Sequence, residues 1–287
     1  VKAVLAPRSC LLAAFFPLSA VCQGTGSGGS PSALSRYDLT EPAARFELPA
    51  RLDEISGLAL SADGRLFGHD DERATVYEID LRTGAAGKRF SLGDPPLRGD
   101  FEGLAIAGER FFLVTSTGLL LEFREVEDRG EAPYRVTDTG LGGTCEIEGL
   151  DHDAVDDVLL VACKASTPER GQIVVHGLPL DPDRPRPRPI EIERAQLAAF
   201  GVRTDFAPSA IAVTPAGTLL LASAVVEGLV EVDRTGRVIW AQPLARRTHR
   251  QPEGLAFTRE GLLVVADERD DGHAHLTGYA TSAVRSR

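Results

Sequence analysis

Basic side chains are in short supply: Lys and Arg total 31 against 42 Asp and Glu, a net charge of −11. A chain so balanced lacks the clustered positive charge that a phosphate backbone demands, which excludes nucleic acid as a partner. No apolar run reaches the roughly 20 residues of a membrane-spanning helix. Aromatics are only 6%, yet 43% of residues are hydrophobic, with Val, Leu and Ile abundant, so the chain folds around a sizeable core. There is no G-x-S-x-G elbow, no H-E-x-x-H pair and no C-x-x-C, which removes support for serine-hydrolase and zinc chemistry.

What is present begins with an address. Lys2 and Arg8 precede the apolar stretch from Cys10 to Val21, the size of a secretory h-region and too short to span. Residues 1–22 read as a signal peptide, followed by a flexible Gly/Ser tether at 23–33. Leu18-Ser-Ala-Val-Cys22 approaches a lipobox, but Val21 stands where Gly, Ala or Ser belongs. Lipidation of Cys22 and plain cleavage nearby are the alternatives. The expected location is periplasmic or secreted, with membrane attachment only through that lipid. Gly24, Gly26 and Gly29 satisfy G-x-G-x-x-G formally, but no strand precedes them.

A repeat organises the remainder, 34–282. Glu54-Ile-Ser-Gly57, Glu102-Gly103, Glu148-Gly149, Ser209-Ala210 and Glu253-Gly254 each open an apolar strand, with steps of 46, 46, 61 and 44 between the anchors. A step of about 45 with short alternating strands fits one four-stranded propeller blade per unit. The turns agree: Ala62-Asp-Gly64 and Ala216-Gly217 read as hairpins, and Val76–Asp80 and Gly228–Asp233 as third strands ending in Arg-Thr-Gly. The long step holds a Pro/Arg-rich insertion at about 181–200, read as an extended surface loop and then a helix from Ile192 to Phe200. The fold class is all-β, a five-bladed β-propeller closed by pairing of N- and C-terminal strands, with Tyr37–Leu48 supplying the missing outer strand. Six blades is the alternative.

First strands of propeller blades line the axis. The residue before each anchor reads Ser56, Glu102, Glu148, Ser209, Glu253; three before it reads Glu54, Asp100, Glu146, Ala207, Gln251. Positions two apart in a strand share a face, so both columns are expected at one mouth. Crowded carboxylates raise one another's pKa unless a cation neutralises them, and calcium tolerates irregular oxygen ligands. The expected cofactor is Ca2+, with Glu54, Glu72, Glu102, Glu148, Glu253 and Glu268 as the candidate metal set. Asp267–Gly272 resembles an EF-hand start, but Arg269 occupies a ligand position. Cys145 and Cys163 flank a predicted hairpin that brings them together, so a disulfide is expected, worth about 3 kcal/mol for a loop of this size.

The Glu54-Ile-Ser-Gly-Leu, Asp100-Phe-Glu-Gly-Leu-Ala, Glu146-Ile-Glu-Gly-Leu and Gln251-Pro-Glu-Gly-Leu-Ala segments, with acidic pairs at 71–72 and 267–268, resemble the SdiA-regulated family of bacterial exported proteins over residues 35–280. The resemblance implies a five-bladed propeller with a calcium site and leaves function undefined; Ser209-Ala210 departs from its Glu-Gly pattern. Two functions follow as expectations. One is a non-catalytic envelope module, a monomer that binds a protein or small ligand. The other is a calcium-dependent hydrolase of a lactone, ester or phosphoester, with Glu72 or Glu268 activating water and His69 as the base to test.

Overall fold

A computed structural model describes residues 32–166, 171–270 and 272–282; the signal peptide, most of the tether and Cys22 lie outside them. Each anchor lies in the innermost strand of a four-stranded antiparallel sheet. The first strand in the chain, β1 (Ala44–Glu47), belongs to the last sheet. Blade 1 is β2 (Ile55–Leu60), β3 (Leu66–Asp70), β4 (Thr75–Ile79) and β5 (Ala86–Ser91). Blade 2 is β6 (Phe101–Ala107), β7 (Arg110–Thr115), β8 (Leu119–Arg124) and β9 (Tyr134–Asp138). Blade 3 is β10 (Cys145–Asp153), β11 (Val158–Ser166), β12 (Gln172–Pro179) and β13 (Ile190–Glu193). Blade 4 is β14 (Ala210–Val213), β15 (Leu219–Ser223), β16 (Gly228–Val232) and β17 (Val238–Pro243). Blade 5 is β18 (Pro252–Phe257), β19 (Leu263–Asp267) and β20 (His275–Tyr279), completed by β1 in the register Ala44↔Gly278 to Glu47↔His275. The ring therefore has five blades, closed by its terminal strands, and the six-blade alternative falls away.

Both faces of each sheet are covered by neighbouring blades, so the middle strands are apolar on both sides rather than alternating. Leu66–Asp70 and Leu219–Ser223 are buried at every position. Five apolar clusters result, one in each gap between blades. The gap between blades 1 and 2 holds edge-to-face rings: Phe111 meets Phe67 at 5.2 Å and Phe90 at 5.8 Å. A second tie holds the N-terminal segment. Buried Glu231 of β16 accepts the N–H groups of Ala33 (3.0 Å) and Leu34 (3.1 Å) and the Ser32 hydroxyl (2.6 Å).

The insertion differs in part from expectation. Asp181–Pro189 is loop, tied down by Arg184 on the Asp156 carbonyl and Arg186 on the Thr139 carbonyl. The helix expected from Ile192 begins two residues later, as a 3-10 helix at Arg194–Phe200, because Ile190–Glu193 is recruited as the fourth strand of blade 3. Sheet pairing of Ile192 with Ile173 outweighs local helix preference there.

Candidate functional site

The Glu-Gly signature is a β-bulge. In blade 2, Phe101 pairs with Thr115 but Gly103 with Val114, so Glu102 is an extra residue in its strand. The same shift isolates Glu148 between Ile147↔Cys163 and Gly149↔Ala162, and Glu253 between Pro252↔Asp267 and Gly254↔Ala266. In blade 1 the shift falls across Ser56 and Gly57. A bulge re-aims the side chain of its extra residue, here toward the axis. The glycine that follows lets inner strands meet: a Cβ on Gly103 would lie 2.6 Å from the Leu150 nitrogen of the next blade. Gly57, Gly149 and Gly254 abut Leu104, Ile211 and Leu58 in the same way around the ring. The axial space beside Glu102, Glu253 and these glycines is consequently about 10 Å³, at most one water.

The bulge makes Glu102, Glu148 and Glu253 extra residues, yet the two acid columns stay beside each other at one mouth: Asp100 hydrogen-bonds Glu102 through its side chain, and Glu146 lies close enough to act on Glu148. The columns form an inner and an outer ring. Ser56 donates to Glu102 Oε2 at 3.0 Å, and Ser209 turns away to the Pro252 carbonyl at 2.5 Å. Glu102, Glu148 and Glu253 remain as the inner carboxylates. Burial, then the charges of Glu148 and Asp100, push Glu102 up to about 8 against the Ser56 bond. Burial, then Glu148, Glu268 and Glu102, hold Glu253 well above the usual carboxylate range. Glu148, only 6% exposed, is raised by burial despite Lys164, whose ammonium donates to Oε1 at 2.8 Å.

The outer ring pairs residues three before each anchor with a residue near the end of the second strand, just past it in blades 2 and 5 and within it in blade 3. Ser116 donates to Asp100 at 2.5 Å, Lys164 stands 3.9 Å from Glu146, and Gln251 donates to Glu268 at 3.2 Å. Arg269 from blade 5 neutralises Glu54 at 2.6 Å. Burial and Glu54 push Glu268 up to about 8, while burial, Asp70 and Glu54 push Asp71 up to about 6. One Asp71 oxygen is buried with no hydrogen-bond partner.

Of the six candidate ligands, Glu54, Glu102, Glu148, Glu253 and Glu268 converge on this mouth. Glu72 does not join them: its side chain is 59% exposed and lies beside Arg73. The strand register explains why. Asp70 pairs with Ile55 as Asp267 pairs with Pro252, so Asp71, not Glu72, corresponds to Glu268. His69 is likewise no base. It is fully buried beneath Gly57, and burial lowers it to about 4. Lys164 was missed because a lone lysine at a strand end carries no signal until Glu148 is placed beside it. The expected bridge between Cys145 and Cys163 is present, with Cα atoms 5.3 Å apart.

The donors are hard oxygens, the set calcium takes. In these rotamers, however, no three carboxylates among the described residues bring ligand atoms within 4.8 Å of one another; the one such group is Cys145, Cys163 and His176. An ion at the mouth would need side chains to rotate inward.

No protein-family model matches the chain, and no curated protein matches it by sequence. Solved structures do. The Myxococcus xanthus glutaminyl cyclase is similar with a TM-score of 0.58 and 15% identity, over 83% of this chain and 94% of that one. A luciferin-regenerating enzyme gives 0.56 and 9%, over 84% and 96%. The PQQ-bound aldose sugar dehydrogenase of Streptomyces coelicolor gives 0.51 and 12%, over 84% and 99%. At these identities the likeness speaks for the fold, and the chain is a five-bladed β-propeller whose bulged acids ring one mouth of its axis.

Proposed function

We propose that the acidic mouth binds calcium and that the protein is a non-catalytic binding module of the cell envelope, akin to the SdiA-regulated family that its Glu-Gly segments resemble. One observation carries this reading: three bulges aim Glu102, Glu148 and Glu253 at the axis, with Lys164 alone as counter-charge. Like charges so placed remain costly without a cation. Glu102, Glu148 and Glu253 would hold the ion with Glu54, Glu268 and Asp71 on the outer side, Asp71 taking the place given to Glu72. Bound calcium would supply a fixed positive charge that keeps these carboxyls ionised and the first strands in register. The disulfide, and the lack of any helix among the described residues long and apolar enough to cross a membrane, are compatible with export.

Metal analysis of the purified protein and its thermal unfolding with EDTA, then with calcium restored, test the proposal. Stabilisation by calcium that is lost in Glu148→Gln supports it. A midpoint indifferent to EDTA and calcium overturns it.

A second reading keeps the alternative of a calcium-dependent hydrolase acting on a lactone, ester or phosphoester. It is favoured by Glu102 and Glu268, whose carboxyls at about 8 sit where general acid–base catalysis works best. Turnover of such substrates that disappears in Glu268→Gln supports it; calcium binding without turnover leaves the module.

A further inference from the structure

We propose that, when its disulfide is reduced, blade 3 carries a zinc site formed by Cys145, Cys163 and His176. The three lie on adjacent strands β10, β11 and β12 of one sheet. Cys163 pairs with Val174 and Ile147, while His176 pairs with Val161 two residues along, so Cys163 and His176 share a sheet face. Cys145 reaches the same face two residues before Ile147. The two sulfurs and one imidazole nitrogen already lie within 4.8 Å of one another. Zinc bonds of 2.0–2.3 Å in a tetrahedron put such ligands about 3.5–3.8 Å apart, so side-chain torsions suffice to assemble the site. Two thiolates and an imidazole are the soft set zinc selects, whereas the carboxylates of the mouth are not.

A surface recess of about 330 Å³ lined by Asp100, Ser116, Gly142, Gly143, Thr144 and Cys145 borders the site, in which both cysteines are buried. A dithiol reductant attacks one sulfur, the mixed disulfide resolves, and the reductant leaves as its own cyclic disulfide with both electrons transferred. The two thiols formed each release a proton to solvent as Zn2+ binds, and water fills the fourth position. Reoxidation by a disulfide donor reverses the sequence and expels the metal. Blade 3 is thereby a thiol–disulfide switch whose reduced arm is locked by metal rather than by a covalent bond. This site is independent of the calcium reading, since it uses none of the mouth carboxylates.

The test reduces the purified protein anaerobically with a phosphine, removes the reductant and titrates with Co2+ as a zinc surrogate, then with Zn2+. The expected result is one cobalt per chain with an intense thiolate-to-cobalt absorption band, displaced by zinc and absent from oxidised protein. His176→Ala, which keeps the disulfide, weakens metal binding about tenfold or more after reduction. Cys163→Ser abolishes the band. Circular dichroism follows the fold: a reduced chain that unravels and is restored by zinc also supports the site. No thiolate band in a folded reduced chain, an unravelled chain that zinc leaves unchanged, or equal affinity in His176→Ala overturns it.

Discussion

The Lys164 ammonium donates to the Glu148 carboxylate across 2.8 Å, and no other Lys or Arg among the described residues pairs with Glu102, Glu148 or Glu253. A tethered cation thus stands in the acidic mouth, answering part of its charge. Lys164→Met removes it without losing the alkyl stem. Because the lysine side chain is 39% exposed, solvent screens the pair and the expected loss of stability is modest, about 1 kcal/mol. Calcium affinity should rise, since ion and ammonium compete for the same oxygens. Urea titration and calorimetry with calcium measure both.

Titration of the mouth has a definite sign. Glu102 and Glu268 have folded-state pKa values near 8 against an ordinary 4.5. Between those values the folded chain binds more protons than the unfolded one, so without metal stability increases as pH falls from about 8 to about 4.5 and is lost as pH rises through that window. Thermal midpoints of metal-free protein should therefore be higher at the acid end. Saturating calcium should flatten or reverse the slope, and Glu102→Gln should reduce it.

Close approach of the inner strands makes the anchor glycines intolerant of a methyl group. Gly103→Ala drives a Cβ to 2.6 Å from the Leu150 backbone, where no flexible side chain can yield. Overpacking of this kind costs about 1–3 kcal/mol. Gly143→Ala, with nothing within 4 Å, should change stability by less than about 0.5 kcal/mol. Denaturant midpoints of the two variants compare them directly.

Glu231 is the hub of the N-terminal tie. Glu231→Ala takes the acceptor from the Ala33 N–H and one of two acceptors from the Leu34 N–H, which keeps the Ser32 hydroxyl, and the expected destabilisation is about 1–3 kcal/mol. Limited proteolysis should then cut ahead of Ala44 faster than in the parent chain, while the circular dichroism of the sheets persists.

The blades could be read from the chain because each repeats a Glu-Gly, Ser-Gly or, in blade 4, Ser-Ala step at the start of an apolar strand, and the hairpin glycines at 64 and 217 fall where positive φ is needed. The finer arrangement of the mouth could not. A bulge adds one residue without leaving a periodic trace, so nothing in the spacing showed that Glu102, Glu148 and Glu253 are the extra residues of their strands. Acidic pairs at 71–72 and 267–268 matched by eye, yet strand pairing slides the first back to 70–71. His69 beside three acids resembled a catalytic base, but a propeller covers both faces of its second strands, and that burial is tertiary. Lys164 needed the hairpin of blade 3 to meet its partner.

Ring closure through β1 has a consequence for how the chain is made. Ala44 meets Gly278 across 234 residues. Loop-closure entropy grows so slowly that this contact costs only about 1.5 kcal/mol more than a blade-length loop. Timing is the greater constraint: β1, the first strand among the described residues, waits for β20, the last of them. A chain stopped before His275 leaves β1 and β19 each with a bare edge, open to the wrong partner. The ring of this propeller therefore cannot close until β20 has been made.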